Sequence, residues 1–137
     1  MERAFRGISF KFFISFMAIA VLPLLSFAYW QNDPSNELMD AFKNNNAKGI
    51  SAYFGQNVSL SIKNDSGHYS KFQAELMLSD FFRSNKTQDI KKVQQTNRNN
   101  SSFYIVYQLK SSSGTYRLFF KFNHIDGESQ ITELRIE

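Results

Sequence analysis

Between Phe103 and Phe122 nearly every second residue is apolar or aromatic, and this alternation constrains the fold more than any other feature of the chain. Phe103, Ile105, Tyr107 and Leu109 share one face of a predicted strand, and Tyr116, Leu118, Phe120 and Phe122 share one face of the next. A period of two places such residues on the same side of a pleated sheet. Strands are predicted at about 90–96, 103–110, 115–123 and 130–136, with hairpin turns at Ser111–Gly114 and Asp126–Gly127. The two aromatic rows form one sheet surface that needs a cover.

The cover is supplied by helical patterns upstream. Asp33–Pro34 is a helix entry, and Leu38, Met39 and Phe42 follow on one face. Asn44–Asn46 interrupts this helix, and Ala47, Ile50, Tyr53 and Phe54 resume the spacing up to Gly55. Val58, Leu60 and Ile62 then alternate as a half-buried strand, and Asn64–Gly67 is predicted to turn the chain. Ser70 and Gln73 form a capping-box pattern opening a long helix to Asn85. Ala74, Met77, Leu78 and Phe81 make its main stripe, with Phe82 beside it. Phe72 and Leu76 lie nearly opposite, which predicts a second covering element, either the first two helices or another subunit. The element order implies an α+β domain with three helices on one face of a curved, mixed, mostly antiparallel sheet.

The first thirty residues carry a different signal. Arg3, Arg6 and Lys11 precede an uncharged stretch from Phe12 through Leu25, and Ser26–Phe27–Ala28 offers small side chains where a signal peptidase reads. Residues 1–28 are therefore expected to be a cleaved export signal, with the mature protein starting at Tyr29; an uncleaved membrane anchor is the competing reading. Residues 29–137 number 109, enough for one domain burying on the order of two thirds of its unfolded surface. Loss of Arg3, Arg6, Lys11 and Glu2 lowers the formal net charge from +4 to +2. The remaining basic cluster, Lys91, Lys92 and Arg98, reads as a solvated edge, so no nucleic-acid partner is expected. The absence of cysteine excludes disulfides, thiolate metal sites and a lipid-modified cysteine.

Chemistry-bearing residues are few. His68 and His124 lie 56 positions apart with no metal-ligand spacing, so neither a metal nor a cofactor is expected. Glu75 and Asp80 fall about 140° apart on their helix and cannot work as a carboxylate pair. Tyr107 and Tyr116 are predicted to point inward with hydroxyls that need partners. Tyr107, Tyr116, Glu75 and His68 are the candidate ligand-contacting residues. Arg117, Phe119 and Lys121, on the opposite face of their strand, are the candidate interface.

Asn46–Lys48 through Tyr53–Phe54, Tyr69–Lys71 with Gln73–Glu75 and Asp80–Phe82, Gly114–Arg117 and the ending Leu134–Glu137 together resemble small exported Bacteroidetes proteins grouped as domain of unknown function 4783. The resemblance covers nearly the whole mature chain. It implies a cone-like fold similar to nuclear transport factor two and to cystatin, export across the inner membrane to the periplasm or cell envelope, and no particular activity. Gln94–Gln95–Thr96 stands where members often carry His-Gln-Gly. The cone fold hosts enzymes and plain binding modules alike. The reading that follows is a non-enzymatic binding or structural module whose apolar pocket or outer sheet surface takes a small ligand or an envelope protein, with a homodimer expected through the outer sheet. An isomerase or hydrolase using a carboxylate or histidine, and a membrane-anchored structural protein, are the alternatives.

Overall fold

A computed structural model describes residues 33–99 and 101–137, with Arg98 described by its backbone alone. The expected export segment and its cleavage site lie outside the described residues, as does the Arg98 side chain in the basic cluster. No helix among the described residues is long and apolar enough to cross a membrane.

Helices α1 (Ser35–Lys43) and α2 (Ala47–Ser51) meet at the expected asparagine bend. Asn45 adopts φ +51°, which asparagine tolerates better than most residues, and Asn46 caps α2 by accepting a hydrogen bond from the Gly49 amide. Strands β1 (Phe54–Ile62) and β2 (Asp65–Ser70) follow, then α3 (Lys71–Ser84), β3 (Thr87–Asn99), β4 (Ser102–Ser111), β5 (Gly114–Ile125) and β6 (Glu128–Ile136). The capping box at α3 forms in full: the Gln73 amide donates to the Ser70 hydroxyl and the Ser70 amide to the Gln73 side chain, both at 3.2 Å. Asp126 and Gly127 both take positive φ, as a two-residue hairpin of this twist requires.

Two local expectations are corrected. The turn after β1 is Lys63–Asn64, with Lys63 at φ +55°, and Asp65–Gly67 belong to β2 instead of to the turn. Polar residues suffice there because β2 is a half-exposed edge strand that gains its place from pairing with β1. Phe54 and Gly55 likewise open β1 instead of closing α2.

The six strands run in the order β2-β1-β6-β5-β4-β3, antiparallel except for the parallel pair β1–β6. The inner face is continuous with the helix stripes. Leu38, Phe42, Ile50, Leu78, Ile105, Tyr107, Leu118, Phe120 and Phe122 are all fully buried. Phe42 joins the layers through edge-to-face contacts with Phe82 at 5.4 Å and Phe120 at 5.8 Å. Each such side chain contributes roughly 1.5–3 kcal/mol by leaving water. Phe72 and Leu76 remain 67% and 50% exposed, so α1 and α2 do not cover the second apolar side of α3.

Candidate functional site

The inner side of the sheet, where an apolar pocket is expected, is lined by buried side chains. Tyr107 is fully buried and its hydroxyl donates to the Ser35 carbonyl at 2.9 Å, tying β4 to the first turn of α1. Tyr116 lies at the far end of α3, edge-to-face with Phe81, and its hydroxyl donates to Asn85 Oδ1 at 2.9 Å. The Ser113 hydroxyl reaches the same oxygen, and Asn85 Nδ2 caps α3 on the Phe81 carbonyl. The Ser113 hydroxyl beside the phenol, and secondarily the Lys63 ammonium 5.4 Å from the ring centre, hold its pKa below the ordinary tyrosine value, with burial acting in the opposite direction. Among the described residues the buried polar side chains are Ser35, Ser51, Asn85 and Ser111. None of these is a carboxylate or an imidazole.

The remaining candidates lie apart from the two tyrosines. Glu75 is half-buried on α3, and Asp80 is ion-paired with Arg83 at 2.9 Å on the exposed side. His68 pairs with Ser59 in register and faces away from the core, on the side of the sheet opposite Tyr107. His124 is exposed beside Ser129. No cluster of three or more metal-ligating side chains occurs among the described residues.

The outer face of the sheet is organised by register into two rows. Gln94, Val106, Phe119, Arg135 and Ser61 lie side by side across β3, β4, β5, β6 and β1. Thr96, Tyr104, Lys121, Glu133, Ser59 and His68 form the neighbouring row. Two β-bulges create this alignment. An extra residue at Val93 shifts β3 so that Gln94 and Thr96 turn outward beside Val106 and Tyr104. A second shift, opposite Lys121–Phe122, lets Ile131 and Leu134 both face the core while Glu133 and Arg135 face out.

Between the rows lies a groove of about 430 Å³ lined by Gln94, Thr96, Tyr104, Val106, Phe119, Glu133 and Arg135. The Tyr104 and Phe119 rings sit 4.9 Å apart at its centre, and the Arg135 guanidinium lies over Phe119 at 4.5 Å. Arg135 also pairs with Glu133 at 3.5 Å and Glu137 at 3.7 Å. Of the three residues expected as an interface, Phe119 lines the groove, and Arg117 and Lys121 flank it on β5. Tyr104 and Val106 were readable from the same alternation that located the core. Gln94 and Thr96 were not, because a one-residue bulge reverses the side on which later side chains fall.

Solved structures place this architecture among known proteins. A DUF4783 family protein from Bacteroides uniformis matches at 28% identity and TM-score 0.72, covering 77% of this chain and 96% of its own. A protein of unknown function with a cystatin-like fold from Nostoc punctiforme matches at 10% identity and TM-score 0.61, over 74% of this chain and 70% of its own. An NTF-2 like protein of unknown function from Shewanella oneidensis matches at 13% identity and TM-score 0.54, over 74% and 90%. The last two likenesses concern the fold alone, which is the cystatin-like, NTF2-like α+β class expected. No curated protein matches the chain. The model of the family described as domain of unknown function DUF4783 matches residues 35–137, from the first turn of α1 to the end of the chain, and the protein belongs to that family.

Proposed function

We propose that this protein is an exported, non-enzymatic recognition module that works through the outer face of its sheet. The observation that supports the reading is the contrast between a buried inner sheet face and an outer face that holds a half-exposed aromatic pair in a groove rimmed by both signs of charge. General acid or base work needs a carboxylate or imidazole poised in an apolar pocket. The described interior holds hydroxyls, an amide and a phenol already committed to the α1 backbone. Export rests on the Arg3-to-Ala28 pattern, which favours the periplasm or cell envelope.

A homodimer through the same face is the second reading, favoured by its charge pattern. Arg117 and Lys121 on β5 stand beside Glu133 and Glu137 on β6, and a surface with both signs can meet a rotated copy of itself. Native mass spectrometry of the protein purified from its own cell envelope, repeated after denaturation, tests these claims. The expected result is a chain beginning at Tyr29 that carries a ligand or partner shed on unfolding. A chain retaining Met1 would overturn the cleavage. If a Phe119→Ala chain keeps everything the native chain carries, the outer face is not the recognition surface.

A further inference from the structure

We propose that the partner of the outer face is a second copy of this chain, turned about a two-fold axis that runs along the strands midway between β5 and β6. The proposal rests on the reading of the outer face as the recognition surface and names what occupies it. Register supplies the argument. Arg117, Phe119 and Lys121 on β5 stand rung by rung beside Glu137, Arg135 and Glu133, the first rung closed by backbone hydrogen bonds of 2.7 and 3.0 Å between Arg117 and Glu137. The β5 stripe is therefore cationic at both ends, and the stripe beside it is anionic at both ends.

A two-fold that lays one sheet face on its copy lies in the plane between them, and charge selects among its settings. An axis along β5 itself sets Arg117 on the partner's Arg117 and Lys121 on the partner's Lys121. An axis across the strands at Phe119 sets Arg117 on the partner's Lys121 and Glu133 on the partner's Glu137. Both settings join like charges, which costs affinity. Midway between β5 and β6, an axis along the strands lays β5 over the partner's β6. Arg117 then meets the partner's Glu137 and Lys121 the partner's Glu133, and symmetry repeats both contacts.

Shape agrees with charge. The same axis lays β4 over the partner's β1, so Val106 stands over the partner's Ser61 and Tyr104 over the partner's Ser59, large side chains against small ones. No ring needs a free face. Phe119 already lies between Tyr104 at 4.9 Å and the Arg135 guanidinium at 4.5 Å, and that stack is the surface each copy presents. The two Arg135 guanidiniums that approach at the centre each arrive beside Glu133 and Glu137 of their own chain, at 3.5 and 3.7 Å, which offsets their charge. Twisted sheets pack face to face at about 30° from aligned, so β4, β5, β6 and β1 carry the contact while the edge strands splay apart.

The test is native mass spectrometry, across a dilution series, of chains exported and purified from the cell envelope. The native chain is expected to form a dimer that dissociates on dilution. Lys121→Glu and Glu133→Lys, each alone, set like charges at both copies of one contact and should weaken the dimer by at least about tenfold. Mixed, with one of them ¹⁵N-labelled, these two variants should pair with each other, because the acid introduced in one chain faces the base introduced in the other. Arg117→Glu and Glu137→Lys repeat the test at exposed positions on the other side of Phe119. A native dimer whose single variants all stay dimeric, or whose mixed variants form no mixed dimer, would overturn this axis. If Phe119→Ala also stays dimeric, the outer face falls with it; if Phe119→Ala dissociates, the outer face stands and only the axis falls. A native chain that is monomeric at every concentration would overturn the second copy as partner, and a different partner shed by the native chain but absent from Phe119→Ala would keep the outer face as the recognition surface.

Discussion

Strands β4 and β5 present two faces built on one backbone, and the faces do different work. On the inner side Ile105, Tyr107, Leu118, Phe120 and Phe122 are sealed under three helices. One residue along in each case, the outer side sets Tyr104 and Val106 beside Phe119, half-exposed and flanked by charge. Aromatic residues occur on both, so side-chain type alone does not distinguish core from site. The difference lies in what stands opposite: a helix stripe on the inner side, and on the outer side the Arg135 guanidinium over Phe119, with Tyr104, Val106 and Phe119 left half-exposed. A half-exposed apolar side chain retains part of its unfavourable contact with water, and that free energy is available to a ligand or partner.

This contrast can be broken from either side. The largest expected effect is on the inner face, where Phe120→Ala should lower unfolding stability by about 3–5 kcal/mol in urea titration, because its neighbours Phe42 and Tyr107 cannot collapse into the space. A loss near zero would mean that the inner layer is loosely packed. Tyr107→Phe keeps the ring and removes the hydroxyl that bonds the Ser35 carbonyl, so a smaller loss of about 1–2 kcal/mol is expected from the same measurement. Ser70→Ala removes half of the capping box and should cost about 1 kcal/mol, with α3 amides exchanging faster with solvent. Phe119→Ala should change stability least, by under about 1 kcal/mol, since surface substitutions rarely exceed that, while abolishing recognition at the outer face. A Phe119→Ala loss as large as that of Phe120→Ala would erase the distinction between the two faces.

Much of the fold was legible in the residues. The two aromatic rows named the inner face of β4 and β5, the asparagine bend separated α1 from α2, and Ser70 with Gln73 marked the start of α3. Strand β2 was not legible, because Asp65–Ser70 is polar and glycine-containing and becomes a strand only through the backbone bonds β1 offers it. The candidate site was half legible. Phe119 and its basic neighbours stood out as an aromatic between cations, but the partner surface on β3 and β6 depends on bulges at Val93 and opposite Lys121–Phe122. A bulge leaves little trace in a hydrophobic pattern, since it shifts register without changing composition.

By itself the sequence determined which side chains seek burial and at what period, and hence an α+β domain with an apolar inner sheet face, preceded by a basic start and an uncharged apolar stretch. Short-range spacing encodes these because each is a property of neighbouring residues along one element. Only the tertiary structure decided that Tyr107 is tied to Ser35, 72 positions away, that the inner sheet face is buried, and that Gln94, Tyr104, Phe119 and Glu133 converge on one outer groove. Those outcomes depend on register between strands distant in sequence, and register is set jointly by all six strands and the helices that load one face of them.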